Sequence, residues 1–164
     1  MNLLANISNL RIGHGYDIHR LQQGGNLILA SIPVAEGISP IAHSDGDVVI
    51  HALVDALLGA AGLGDIGTHF PDTDAAYRNA PSMTFLEKAM QLLAARNLQV
   101  VNADITILAE KPKLRPFNSQ MTVALSNVLK APVNIKAGTN EGCGEIGRGE
   151  AVAAHAVVLI ALVV

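Results

Sequence analysis

The sequence predicts an α+β sandwich: a mixed β-sheet with helices packed on one face. Three observations carry that prediction. Half of the 164 residues are hydrophobic, enough for a domain-sized core. Segments rich in Val and Ile alternate with segments of helical spacing. Gly, Pro and Asp mark the joints between them. Strands and helices interleaved in this way pack as layers around one core. The chain is expected to form a single domain over residues 1–164, with 1–10 a short N-terminal extension.

Taken in order, 11–20 reads as a strand interrupted by glycines, and 26–34 as a second strand joined to it through a Gly24-Gly25 turn. A polar loop, His43 to Asp47, precedes a helix over 48–61, which Asp45 or Asp47 would cap and Gly62 and Gly64 would close. Residues 64–80 read as loop. A second helix spans 83–97, with Thr84 and Glu87 at capping-box spacing. A strand covers 99–109. Pro116 opens a helix running to Leu129, because proline suits a first helical position. A strand over 133–137, a glycine-rich loop over 138–149 and a final apolar strand complete the chain.

Composition excludes several functions. Charged residues make up 15% and aromatic residues 3%, with a net charge of −3. A disordered tail would carry more charge, and a nucleic-acid binder more basic and aromatic surface. The single cysteine, Cys143, forms no internal disulfide, fits a reducing compartment and reads as structural. The apolar C-terminal run contains His155 and is too short to span a bilayer. The N-terminus lacks the basic region of a signal peptide. Neither a nucleic-acid nor a membrane partner is expected.

The charge is unevenly placed. No Lys or Arg occurs between Arg20 and Arg78, yet that stretch carries seven acidic residues and three histidines. Asp17 and His19 are two apart and share one side of an extended segment. They read as a ligand pair or, alone, as ordinary loop residues. Asp47, His51 and Asp55 recur every four residues and share a helix stripe, opposite an apolar stripe of Val49, Leu53, Leu57 and Ala60. Asp17, His19 and His51 together would make two nitrogens and one oxygen, the donor set of a catalytic zinc with an open position. The 65–74 loop, dense in Asp, Gly and Pro, reads as solvated surface or as a binder of hydroxyls, with Asp65 suited to a ribose diol. Lys136 to Gly144 reads as an ordinary turn or as a phosphate cradle with Glu141 free for a cation. Lys111 to Pro116 is the densest basic patch.

Three runs occur in order: Gly13-His-Gly-Tyr-Asp17-Ile-His19; Ala42-His43-Ser44-Asp45-Gly46-Asp47 followed by His51 and Asp55; and Leu63-Gly-Asp65-Ile-Gly67 followed by Phe70-Pro71-Asp72-Thr-Asp74. With these motifs the chain resembles the 2-C-methyl-D-erythritol 2,4-cyclodiphosphate synthase family over nearly its whole length. The resemblance implies a ferredoxin-like type of subunit, assembled as a homotrimer around a threefold axis, with an active site at each subunit boundary. It implies formation of a cyclic diphosphate with release of CMP from a cytidine diphosphate substrate. By resemblance, Asp17, His19 and His51 are ligands of Zn2+ or another divalent transition metal, and Glu141 holds a second ion, Mg2+ or Mn2+. His43 and Ser44 match phosphate-holding positions, Asp65 and Gly67 ribose-binding ones, and Asp72 a position on the methylerythritol hydroxyls. Ala109, Pro112, Lys113 and Leu114 match the segment enclosing cytosine, and Thr139 a diphosphate contact. Phe70 and Arg148 fall at further substrate-binding positions, and Lys136 or Lys113 would add charge. The expected compartment is a bacterial cytoplasm, or a plastid stroma after removal of a transit peptide.

The late loop departs from the family pattern. Gly138 replaces a threonine, Gly142 a lysine, and Glu145 a phenylalanine near the threefold axis. Glu145 argues against an apolar isoprenoid-binding cavity there. These changes motivate a rival reading, an inactive metal- or nucleotide-binding homologue; a third reading is a metal-dependent phosphohydrolase on the same ligands.

Overall fold

The computed structural model describes residues 9–71, 77 and 80–163. Its five strands are β1 (Leu10–Leu29), β2 (Ile32–Pro40), β3 (Leu98–Leu108), β4 (Val133–Gly138) and β5 (Ala151–Leu162). They form one mixed sheet in the order β2-β1-β5-β3-β4, in which only β3 and β4 are parallel. The helices are α1 (Val48–Ala61), α2 (Ile66–His69), α3 (Ser82–Ala94), α4 (Asn118–Leu129) and α5 (Gly144–Gly147), with a 3-10 turn at Arg115–Phe117 leading into α4. Pro116 lies in that turn, in keeping with its predicted opening role. The expected extension over 1–10 lies largely outside the described residues, and Leu10 already begins β1.

The two-residue period of the strands separates a helix-covered face from an open one. On β5, Val152, Ala154, Ala156, Val158 and Ile160 are fully buried, whereas Val157 between them is 39% exposed. On β1, Gly13 and Gly15 are buried beneath α1, and Ile12, His14 and Tyr16 face outward. The two glycines set the helix height. A Cβ on Gly13 or Gly15 would stand 1.9 Å from the carbonyl oxygen of Ala56 or Ala52. Because side chains alternate, Asp17 and His19 continue the same helix-facing row just beyond the glycines.

Several local expectations are corrected. The strand expected over 26–34 turns back at Ala30 and Ser31, where φ is 51° and 62°. Two consecutive positive φ values suit a hairpin, but neither residue is the glycine that would have signalled one. The turn is held instead by Asp47, whose Oδ1 and Oδ2 accept the N–H groups of Ala30 (2.9 Å) and Ser31 (2.7 Å). Gly24-Gly25 is not the joint but a register shift within the β1–β2 pairing. Nor does Asp47 share a cleft-facing stripe with His51, since it is completely buried. Its Oδ1 also accepts from Val49 and Ile50 (both 3.2 Å), capping α1. The Thr84–Glu87 capping box is not formed. Thr84 donates to the Pro81 carbonyl at 2.7 Å, and the first N–H of α3, on Ser82, goes to Asp45 Oδ2 at 2.9 Å. That cap comes from 37 residues upstream, beyond any local pattern. Cys143 is exposed at the start of α5.

Candidate active site

β1 and α1 bring the three strongest candidates together. His19 Nε2 and His51 Nδ1 approach Asp17 Oδ2 to 3.1 and 2.9 Å, and each other to 3.3 Å. A tetrahedral cation with bonds of about 2.0–2.1 Å needs neighbouring donor atoms about 3.3 Å apart. The cluster therefore fits one small divalent ion, with two imidazole nitrogens and one carboxylate oxygen as ligands. Burial acts to raise the Asp17 carboxyl, but hydrogen bonds and charge from His19 and His51 outweigh it and hold the group well below the ordinary carboxylate range. Asp17 thus stays ionised through mildly acidic pH, as a cation ligand must.

The triad opens into a cavity of about 410 Å³. His43, Ser44, Gly67 and Phe70, all candidates from the sequence, line it. One wall is aromatic. Phe70 packs on Phe85 with centroids 4.8 Å apart, and Tyr77 closes edge-on against both. The chain has only five Phe and Tyr residues, and three of them cluster at this one cavity. Asp55 also lines the cavity, and burial pushes its carboxyl upward. It accepts the Ile66 N–H at 2.7 Å, tying α2 to α1. Asp65 caps α2 through the Thr68 N–H (2.8 Å) and hydroxyl (2.7 Å). Asp72 lies outside the described residues.

The remaining candidates sit elsewhere. Ala109, Pro112, Lys113, Leu114 and Thr139 line a second cavity of about 400 Å³, together with Lys136. Glu141 is exposed beside it and accepts from Thr139 Oγ1 at 2.9 Å. Lys136 pairs with Asp104 at 2.5 Å. β4 is three strand spacings from β1, about 14 Å, so the two cavities of one chain remain separate. Arg148 pairs with Glu150 and borders a third cavity, with Leu21 and Lys111.

Sequence reasoning missed Ser82 and gave Asp45 only a capping role. Ser82 is completely buried, and its Oγ lies 2.8 Å from His51 Nε2. No motif flags it, because a serine after a proline looks like any helix start.

An α+β sandwich whose one carboxylate and two imidazoles converge at a cleft has the architecture of a metal-assisted enzyme. The family model described as "YgbB family" matches residues 10–161. The chain is 53% identical to the 2-C-methyl-D-erythritol 2,4-cyclodiphosphate synthase of Nitrosococcus oceani, covering 92% of this chain and 98% of that one. Among solved structures it resembles a CDP-bound 2C-methyl-D-erythritol-2,4-cyclodiphosphate synthase (TM-score 0.84, 40% identity, 92% of this chain and 99% of that one). It also resembles the bifunctional IspDF of Campylobacter jejuni (TM-score 0.90, 38% identity, 94% of this chain), of which it spans 42%. The chain belongs to the YgbB family.

Proposed function

We propose that this enzyme converts 4-diphosphocytidyl-2-C-methyl-D-erythritol 2-phosphate to 2-C-methyl-D-erythritol 2,4-cyclodiphosphate and CMP, a step of isoprenoid precursor synthesis. The observation that carries it is the Asp17–His19–His51 cluster opening beside His43 and Ser44, in a chain this similar to named synthases. An oxygen of the 2-phosphate attacks the β-phosphorus. The bond from that phosphorus to the oxygen bridging the α- and β-phosphates breaks, and CMP leaves with that oxygen. No protein nucleophile is needed, so the residues act by positioning. Holding a flexible diphosphate in a ring-closing pose supplies several kcal/mol, roughly 7–11 in the best intramolecular cases. A divalent cation on the triad, Zn2+ by its N2O donor set, and Mg2+ or Mn2+ at Glu141 would supply Lewis-acid polarisation of the phosphates. His43 and Ser44 hold the 2-phosphate end, Asp65, Gly67 and Asp72 orient the hydroxyls, and Phe70 walls the cavity. Lys113, Pro112, Leu114 and Ala109 enclose the cytosine, and Thr139 contacts the diphosphate. Arg148 is assigned a more distant substrate contact.

The two half-sites support a homotrimer in which one subunit's triad cavity meets its neighbour's basic cavity. Among the described residues no helix is long and apolar enough to cross a membrane. We assign the chain to the bacterial cytoplasm, as one catalytic domain.

Incubation with the substrate, followed by identification of the products, tests the reaction. Equimolar CMP and cyclic diphosphate are expected. Inorganic phosphate instead would indicate a hydrolase, and substrate binding without turnover an inactive homologue. Subunit mixing tests the assembly. A triad variant and a Lys113→Ala, Thr139→Ala variant, each inactive alone, should on random reassembly recover about a quarter of wild-type activity, because one site in four joins two intact halves. No recovery from exchanging trimers would refute shared sites.

A further inference from the structure

We propose that Ser82 and Asp45 are positioning residues that fix the ring of His51 and reserve its Nδ1 for the cation. This rests on the reading of Asp17, His19 and His51 as a cation site. The His51 ring touches partners on both edges. Nδ1 faces the Asp17 carboxylate at 2.9 Å, and Nε2 faces Ser82 Oγ at 2.8 Å and Ser44 Oγ at 3.2 Å. The direction of the Ser82 bond follows from what lies beyond it. Ser82 Oγ donates a short hydrogen bond to Asp45, whose two carboxylate oxygens also accept the N–H groups of Ser82 and Asp47. Ser82 therefore spends its one proton on Asp45 and turns a lone pair toward His51. With a cation in the site Nε2 is the donor, and Nδ1 turns its lone pair to the ion alongside Asp17 Oδ2 and His19 Nε2.

The brace is itself anchored. Asp45 Oδ2 accepts the Ser82 N–H at 2.9 Å, and Asp45 Oδ1 accepts the Asp47 N–H at 3.2 Å. Serine and carboxylate are thus locked together at the start of α3. Ser82 is completely buried, so water cannot replace its hydroxyl. Ser44 is half-buried on the longer contact and also accepts the Gly46 N–H at 3.2 Å. The two serines divide the work. Ser82 is the permanent partner of the ring, and the Ser44 hydroxyl is left to a phosphate oxygen in the cavity.

Partners of the second nitrogen of a ligating histidine are worth about 10–100-fold in metal affinity. Titration of metal-free protein with Co2+ alone reads this without turnover. Ser82→Ala is expected to weaken Co2+ binding about 10–100-fold and to alter its ligand-field spectrum. Asp45→Asn should weaken it less, and Ser44→Ala should leave it within about twofold. Ser82→Ala binding Co2+ as wild type does, or Ser44→Ala weakening it as much, overturns the relay. Wild type failing to bind Co2+ would overturn the cation site itself. Should Ser82→Ala not fold, proton NMR of zinc-loaded wild type decides. A slowly exchanging His51 Hε2 is expected, and its absence overturns the proposal.

Discussion

Replacing His51 with alanine is expected to abolish turnover and strip the triad of its cation while leaving fold and assembly intact. The remaining pair, Asp17 and His19, offers two donors where a stable site uses three or more. Metal content after dialysis should fall to background. Losing several kcal/mol of charge stabilisation on the phosphates lowers the rate by about 10³-fold or more. The imidazole stands at the cavity wall with its side chain 12% exposed, so its removal opens space to the cavity rather than to the core. Thermal stability without metal should therefore change little, and sedimentation should be unchanged. Normal metal content with full activity would sink the triad assignment. Unfolding of the variant would instead reveal a structural role.

Asp47→Ala is expected to have the largest effect on stability. One completely buried carboxylate satisfies four N–H groups, those of Ala30, Ser31, Val49 and Ile50. Each buried donor left without a partner costs about 1–3 kcal/mol. The two on α1 can recover partly by fraying, so we expect a total loss of about 3–5 kcal/mol. At about 2–4 °C per kcal/mol for a chain of this size, the melting temperature should fall by about 6–20 °C. Asp47→Asn should be intermediate, because its amide oxygen still accepts from three of the four N–H donors while its NH2 faces the Ser31 N–H. A change below about 1 kcal/mol in Asp47→Ala, measured by urea denaturation, would show that the turn and the cap are held by something else.

How much was legible varies by element. α1 was placed to the residue, because a capping aspartate, a long apolar run and Gly62 all act within the helix's own span. The β1–β2 hairpin was misplaced by several residues. Its turn sits at Ala30-Ser31, which look like strand, and is selected by a carboxylate from another segment. The cap of α3 failed for the same reason, since Asp45 reaches it through space. In the site, Asp17, His19, His51, His43, Ser44, Gly67 and Phe70 came together in one cavity. Spacing within each motif had already aligned their side chains. Ser82 was invisible, because a serine that braces a histidine 31 residues away leaves no periodic trace.

The cation-free stretch between Arg20 and Arg78, the order of the three motifs and the two-residue step from Asp17 to His19 were written in the sequence alone. They determined the donor types and the layer class, because hydrophobic period and ligand chemistry are local properties. The tertiary structure decided which donors meet. Gly13 and Gly15 let α1 settle onto β1 until His51 reaches Asp17, and Asp47 and Asp45 clamp segments far apart in sequence. The sheet order also places β4, which borders the basic cavity, three strands from the β1 that carries Asp17 and His19, a separation set by strand pairing that no reading along the chain could supply.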